Sequence, residues 1–91
     1  MKARAKVNFK GKVQGVFFRA NTRDAAVQFG VSGWVKNIWD GSVEAVFEGE
    51  KEDIIKLIQW CKTKQPYAHV NKVDLKWEDY KEEFQGFEVR Y

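Results

Sequence analysis

The chain has 91 residues, 44% of them apolar and 15% aromatic, enough for one small hydrophobic core and too few for a second. Its single cysteine, Cys61, excludes an intramolecular disulfide, and no apolar run approaches the roughly 18 residues that span a bilayer. The net charge of +3 is uneven: residues 1–45 hold eight Lys/Arg against three Asp/Glu and residues 46–91 eight against ten, so the positive field lies in the first half. A lone thiol, and a start ("MKARAKVNFK") without an apolar signal-type segment, point to a soluble cytoplasmic protein folded as one domain over residues 1–91.

Residues 5–14 alternate. Ala5, Val7, Phe9, Gly11 and Val13 share one side, and Lys6, Asn8, Lys10, Lys12 and Gln14 the other, which predicts a half-buried strand. Gly15 then permits a turn. Over 18–29 the period changes: Phe18, Thr22, Ala25, Ala26 and Phe29 form one helical stripe, and Gly30 stops it. Asn21 or Thr22 could cap this helix, but the stripe already includes Phe18, so the earlier start is favoured, with Arg19 in or beside the first turn. "VSGWVKNIWDGSVEAVFEGE" reads as a hairpin around an Asp40-Gly41 turn of type I′. On its first arm Val35, Asn37 and Trp39 share a face, which sets a polar asparagine between apolar neighbours. Residues 51–64 return to helical spacing with Ile54, Leu57, Ile58 and Cys61, and Pro66 prevents continuation. Val73, Leu75 and Trp77 mark another strand. Phe87, Val89 and Tyr91 mark a short last one. The order β-α-β-β-α-β predicts an α+β fold, the ferredoxin-like α/β sandwich, with an antiparallel sheet and two helices on one face.

Few groups suit catalysis. One His and one Cys provide no metal-ligand spacing, and no Ser-His-Asp set can be assembled. His69 is expected in a surface loop, and Cys61, on a helical apolar stripe, reads as a buried inert thiol. Glu48, Glu50, Glu52 and Asp53 read as solvated surface and helix-dipole complements. What remains is "GKVQGVFFRAN", residues 11–21: two glycines, an arginine and no carboxylate, where a strand runs into a helix N-terminus. Unpaired amides there, a curled glycine loop and a guanidinium fork would suit a phosphate. A plain strand-to-helix turn would also want a glycine, so the pattern alone leaves both readings open. Phe17 and Phe18, taken by themselves, read as core.

"GKVQGVFFR" (Gly11 to Arg19) and "GWVKNIWDGSVEAVFEG" (Gly33 to Gly49) resemble, in order, the two signatures of the acylphosphatases, and the terminal "VRY" is similar to that family's closing strand. The resemblance implies hydrolysis of acyl phosphates to a carboxylate and inorganic phosphate. By it, Arg19 binds the phosphoryl group, Asn37 positions the attacking water, and the loop of Gln14, Gly15, Val16, Phe17 and Phe18 supplies backbone amides. It implies no metal and no organic cofactor, a small acyl phosphate as substrate, and phosphate as product inhibitor. A short cradle contacts little beyond the phosphoryl group, so the acyl part is expected to be loosely selected. Neither a membrane nor a nucleic acid is expected as partner. The same topology serves RNA recognition, but the aromatic-rich strand signature of that class is missing. Oligomeric state is not read from the sequence.

Overall fold

The computed structural model describes all 91 residues. The expected elements form in the expected order: β1 (Lys2–Lys12), α1 (Phe18–Phe29), β2 (Ser32–Asn37), β3 (Val43–Glu50), α2 (Lys51–Thr63), β4 (His69–Glu78) and β5 (Phe87–Arg90). They make one five-stranded sheet in the order β4-β1-β3-β2-β5. The pairs among β1 to β4 are antiparallel, whereas β5 lies parallel to β2, so the sheet is mixed. β1 starts three residues before the alternation that announced it, because Lys2 to Arg4 pair with Glu48 to Glu50. At its other end the register with β4 shifts between Lys10 and Gly11, and the strand stops at Lys12.

Both helices cover the face that carries Ala5, Val7, Phe9, Val35, Val43, Ala45 and Phe47, all fully buried. From α1 come Phe18, Thr22, Ala25 and Ala26, and from α2 Ile54, Leu57, Ile58 and Cys61. Phe18 is the link that matters for the site. Its ring meets that of Phe9 at 5.2 Å, which fixes the first turn of α1 against the end of β1. Burying such a side chain is worth about 1.5–3 kcal/mol.

The hairpin departs from the type I′ expectation. The turn spans Ile38 to Gly41, closed by the Gly41 N–H donating to the Ile38 carbonyl at 3.0 Å. Gly41 has φ +96°, but Asp40 is not among the positive-φ residues, as a type I′ turn would need. The Asp40 carboxylate instead accepts from the Ser42 N–H and hydroxyl at 2.9 and 2.6 Å, which favours a longer loop and holds its pKa below the usual range. As a result β2 ends at Asn37, and Trp39 stands in the turn, 95% exposed, rather than on the Val35 face.

Glu48 is also not surface. It is 1% exposed, on the face of β3 opposite the helices. It accepts from the backbone N–H groups of Lys81 and Glu83 at 2.8 and 2.9 Å and from Arg4 Nη1 at 3.3 Å. Arg4 also bonds Glu78 and Glu83 and lies over the Phe84 ring. This cluster staples the segment between β4 and β5 onto the sheet. Burial alone would raise the Glu48 pKa, but the two N–H donors and Arg4 outweigh it and the net shift is downward. A depressed folded-state pKa means that the stabilisation is complete above the ordinary glutamate range near pH ~4.3 and is lost as pH falls through the folded value. We expect Glu48→Gln to lower unfolding free energy at pH 7 by about 3 kcal/mol. Denaturant titrations from pH 7 to 2 should show a variant less sensitive to acid than the parent. Parallel pH profiles for the two proteins would contradict the assignment.

Candidate active site

After β1 the chain curls through residues 13–17 into α1. Gly15 (φ +74°) and Phe17 (φ +61°) are both left-handed, with Val16 between them. Such a sequence of conformations turns successive amides towards one side. Val16 is buried beneath the loop. The Gln14 side chain reaches across to the hairpin, donating from Nε2 to the Ile38 and Ser42 carbonyls at 2.7 and 2.9 Å. The loop is thus tied to β1, α1 and the β2–β3 hairpin at once.

None of the backbone N–H groups of residues 14–20 donates to another backbone group; the first bond of α1 runs from the Asn21 N–H to the Phe17 carbonyl at 3.0 Å. No side chain caps the helix and its first turn holds no acidic residue, so the positive end of its dipole is unscreened.

Above these amides lies a cavity of about 300 Å³. Gly15, Phe17, Phe18 and Arg19 line it from the loop and α1, and Asn37 from the end of β2. Arg19 is held from the far side: Nη1 donates to the Arg90 carbonyl at 3.0 Å, and the guanidinium stacks on the Tyr91 ring at 4.6 Å. One of its five N–H donors is thereby engaged on the protein. Asn37 is held differently. Its Oδ1 is buried and has no hydrogen-bond partner. A buried acceptor left unpaired costs about 1–3 kcal/mol; Asn8 Oδ1 and Gln65 Oε1 share this state, and what sets Asn37 apart is that it also lines the cavity. The lining holds two arginines and no Asp, Glu, His or Cys, and its chemistry is that of an anion site.

Five of the seven residues singled out in the sequence therefore meet in one cavity. Gln14 and Val16 do not line it, and their side chains brace the loop instead. Phe18 is core as expected, whereas Phe17 is 73% exposed. Five further lining residues were not anticipated: Val13, Ala20, Arg23, Val89 and Tyr91. Arg23 lies one helical turn after Arg19, a spacing readable from the sequence. Val89 and Tyr91 depend on the parallel docking of β5 beside β2, for which the sequence carries no local signal.

The other reactive groups are elsewhere. Burial pushes the Cys61 thiol up to about 11 against the lowering effect of its contacts with Thr22 and Gln65, so it is not a thiolate at neutral pH. His69 is exposed, as expected, but opens β4 rather than sitting in a loop.

The acylphosphatase family model matches residues 5–89. This chain belongs to the acylphosphatase family. The acylphosphatase of Pelotomaculum thermopropionicum is 50% identical over 90 residues, covering 99% of this chain and 98% of that one. Among solved structures, an acylphosphatase from Coxiella burnetii superposes with a TM-score of 0.91 at 37% identity, covering 98% of this chain and 93% of that one. Acylphosphatase from Bacillus subtilis gives 0.93 at 28% identity over the whole of both chains. The protein is thus a hydrolase acting on acyl phosphates, on the ferredoxin-like fold of these acylphosphatases. No helix of this acylphosphatase is long and apolar enough to cross a membrane.

Proposed function

We propose that this acylphosphatase holds the phosphoryl group of its substrate on Arg19 and on the backbone amides from Gln14 to Phe18 and the first turn of α1, with Asn37 positioning the attacking water. The observation that carries this is the meeting in one cavity of an arginine with free donors, a run of unengaged amides and a buried asparagine oxygen without a partner. Each part suits one part of the reaction. Water attacks phosphorus in line, its oxygen forms the new P–O bond, and the bond from phosphorus to the carboxylate oxygen breaks. The carboxylate leaves as an anion, and both water protons end on the phosphate, one of them exchanging with solvent. A carboxylate is a good leaving group, so the work left to the protein is positioning and charge stabilisation. Arg19 and the amides meet the charge on the equatorial oxygens, each donor being worth roughly 3 kcal/mol when preorganised. The Asn37 carboxamide can accept from the water and donate to it but is not a base. No step calls on a metal or an organic cofactor.

The same cradle would bind the product, which makes inorganic phosphate a competitive inhibitor. The chain acts as one domain, in the cytoplasm, without a nucleic-acid partner. On the open face of the sheet, opposite charges pair across strands (Lys6 with Glu44, Lys10 with Asp74, Arg4 with Glu48 and Glu78), which leaves little net field for a polyanion.

The test is carboxylate release from acetyl phosphate and benzoyl phosphate in the presence of a metal chelator. Rates well above spontaneous hydrolysis, inhibited by phosphate, are expected. A rate no greater than background would defeat the proposal.

A further inference from the structure

Gln65 lies between α2 and β4, just ahead of Pro66, and no step of the reaction uses it. It is nevertheless only 8% exposed, with its side chain directed at the first turn of α1. Nε2 donates to the Phe18 carbonyl at 3.2 Å and to Thr22 Oγ1 at 2.8 Å, which places both of its hydrogens. A carbonyl can only accept, so the nitrogen of the carboxamide and not its oxygen faces Phe18. Oε1 is left buried without a partner. A methionine of similar length would fill the same space and strand no acceptor. The reason for a glutamine is therefore sought in what Nε2 holds. Phe18 and Arg19 share one peptide group. Its carbonyl takes the bond from Gln65 on the buried side of α1. Its N–H, that of Arg19, is one of the unengaged amides at the cavity. In a helix this carbonyl also accepts from the amide four residues on, so Gln65 is a second donor to it. A donor on the oxygen draws electron density towards it and leaves the N–H of the same group more positive. It also fixes the tilt of the peptide plane.

We propose that Gln65 is a positioning residue for the cradle: by donating to the Phe18 carbonyl it fixes and polarises the peptide group whose N–H meets the phosphoryl group. The inference rests on the reading of the cavity as the phosphate site and adds to it a residue that touches no substrate. Two side chains then hold the first turn of α1 from behind. The Phe18 ring locks it to β1 through Phe9, and Gln65 locks it to the end of α2. Only the second acts on an amide directly. The coupling runs both ways. An Arg19 N–H bound to phosphate makes its own carbonyl a better acceptor, which tightens the bond from Gln65.

The test compares the parent with Gln65→Met, which keeps the volume and removes the donor, and with Thr22→Val, which removes the other acceptor and leaves the Phe18 carbonyl in place. In Gln65→Met, the affinity for inorganic phosphate and kcat/KM for acetyl phosphate should each fall about fivefold. Its Arg19 amide proton should move upfield in the free protein and respond less to phosphate, while Gly15 responds as in the parent. Thr22→Val should lower the melting temperature and keep both the affinity and the Arg19 signal. In the parent itself, saturation with phosphate should move the Gln65 side-chain amide protons downfield, a readout that needs no variant to fold. Parental affinity and an unmoved Arg19 amide in folded Gln65→Met would overturn the proposal, as would Gln65 protons that ignore phosphate in the parent. Equal losses of affinity in the two variants would overturn it too, because Gln65 would then only hold the helices together. Parent amides of residues 15–20 that ignore phosphate would strike the reading of the cavity instead. The Arg19 signal of free Gln65→Met would still report whether the bond polarises the peptide group.

Discussion

Arg19→Ala should lower kcat/KM for any acyl phosphate by about 10³-fold or more and weaken phosphate binding with it. The size follows from what the side chain provides. A guanidinium fork matches two phosphate oxygens at once, and here it is already oriented by the Arg90 carbonyl and the Tyr91 ring. Preorganisation means that no donor must be recruited as charge develops. Arg19→Lys is the informative companion. It keeps the charge but loses the fork and the stacked geometry, so it should recover only part of the binding and little of the turnover. Direct titration with phosphate, alongside steady-state kinetics, reads both effects. Phosphate affinity unchanged in Arg19→Ala would show that the guanidinium is not the anion clamp.

Asn37→Ala should separate the two functions that Arg19 joins. Turnover is expected to fall by about 10²–10³-fold, while phosphate affinity stays within a few-fold of the parent. The carboxamide is assigned to the water and not to the phosphoryl oxygens. Asn37→Asp, nearly the same shape, should lose both turnover and phosphate binding, because it places a carboxylate side chain in a cavity whose lining side chains include none. Stability gives a third readout. Oδ1 of Asn37 is buried without a partner, so replacing it removes a desolvation cost of about 1–3 kcal/mol and leaves no orphaned donor behind. Asn37→Ala should thus be at least as stable as the parent while being far less active. A purely structural asparagine would lose stability on substitution, and a phosphate-binding one would lose affinity.

Much of this arrangement was legible in the sequence, and the exceptions share a cause. The helical stripe from Phe18 to Phe29 and the alternation through Ala5, Val7 and Phe9 report burial against the helices; α1 stands where its period puts it, while β1 runs from Lys2 to Lys12 rather than over 5–14. Gly15 and Arg19 were visible because a glycine at a turn and a basic residue at a helix N-terminus are local features of the sequence. Asn37 was singled out because the alternation set it between Val35 and Trp39; in the structure Val35 is buried but Trp39 stands in the turn, so Asn37 ends the apolar face rather than interrupting it. Three features depend on distant chain. Glu48 looks like one more surface carboxylate until residues 79–86 close over it. Tyr91 looks like a last strand residue until β5 docks parallel to β2 and brings it to Arg19. Phe17, beside Phe18, reads as core, because side-chain chemistry does not announce a left-handed backbone at an aromatic residue. The type I′ expectation failed for a local reason instead: Asp40 satisfied its carboxylate on Ser42, which the dipeptide rule does not weigh.

The central claim is that the loop after β1, with Arg19 and Asn37, is a phosphate cradle. Its most direct measurement is a titration of the protein with inorganic phosphate followed by ¹H–¹⁵N NMR. The largest shifts are expected at the backbone amides of residues 15–20, at the Arg19 side chain and, more weakly, at the Asn37 carboxamide. All should saturate with one common affinity. Shifts that saturate on the open face of the sheet, around Lys6, Lys10 and Lys72, with the amides of residues 15–20 unmoved, would contradict the account.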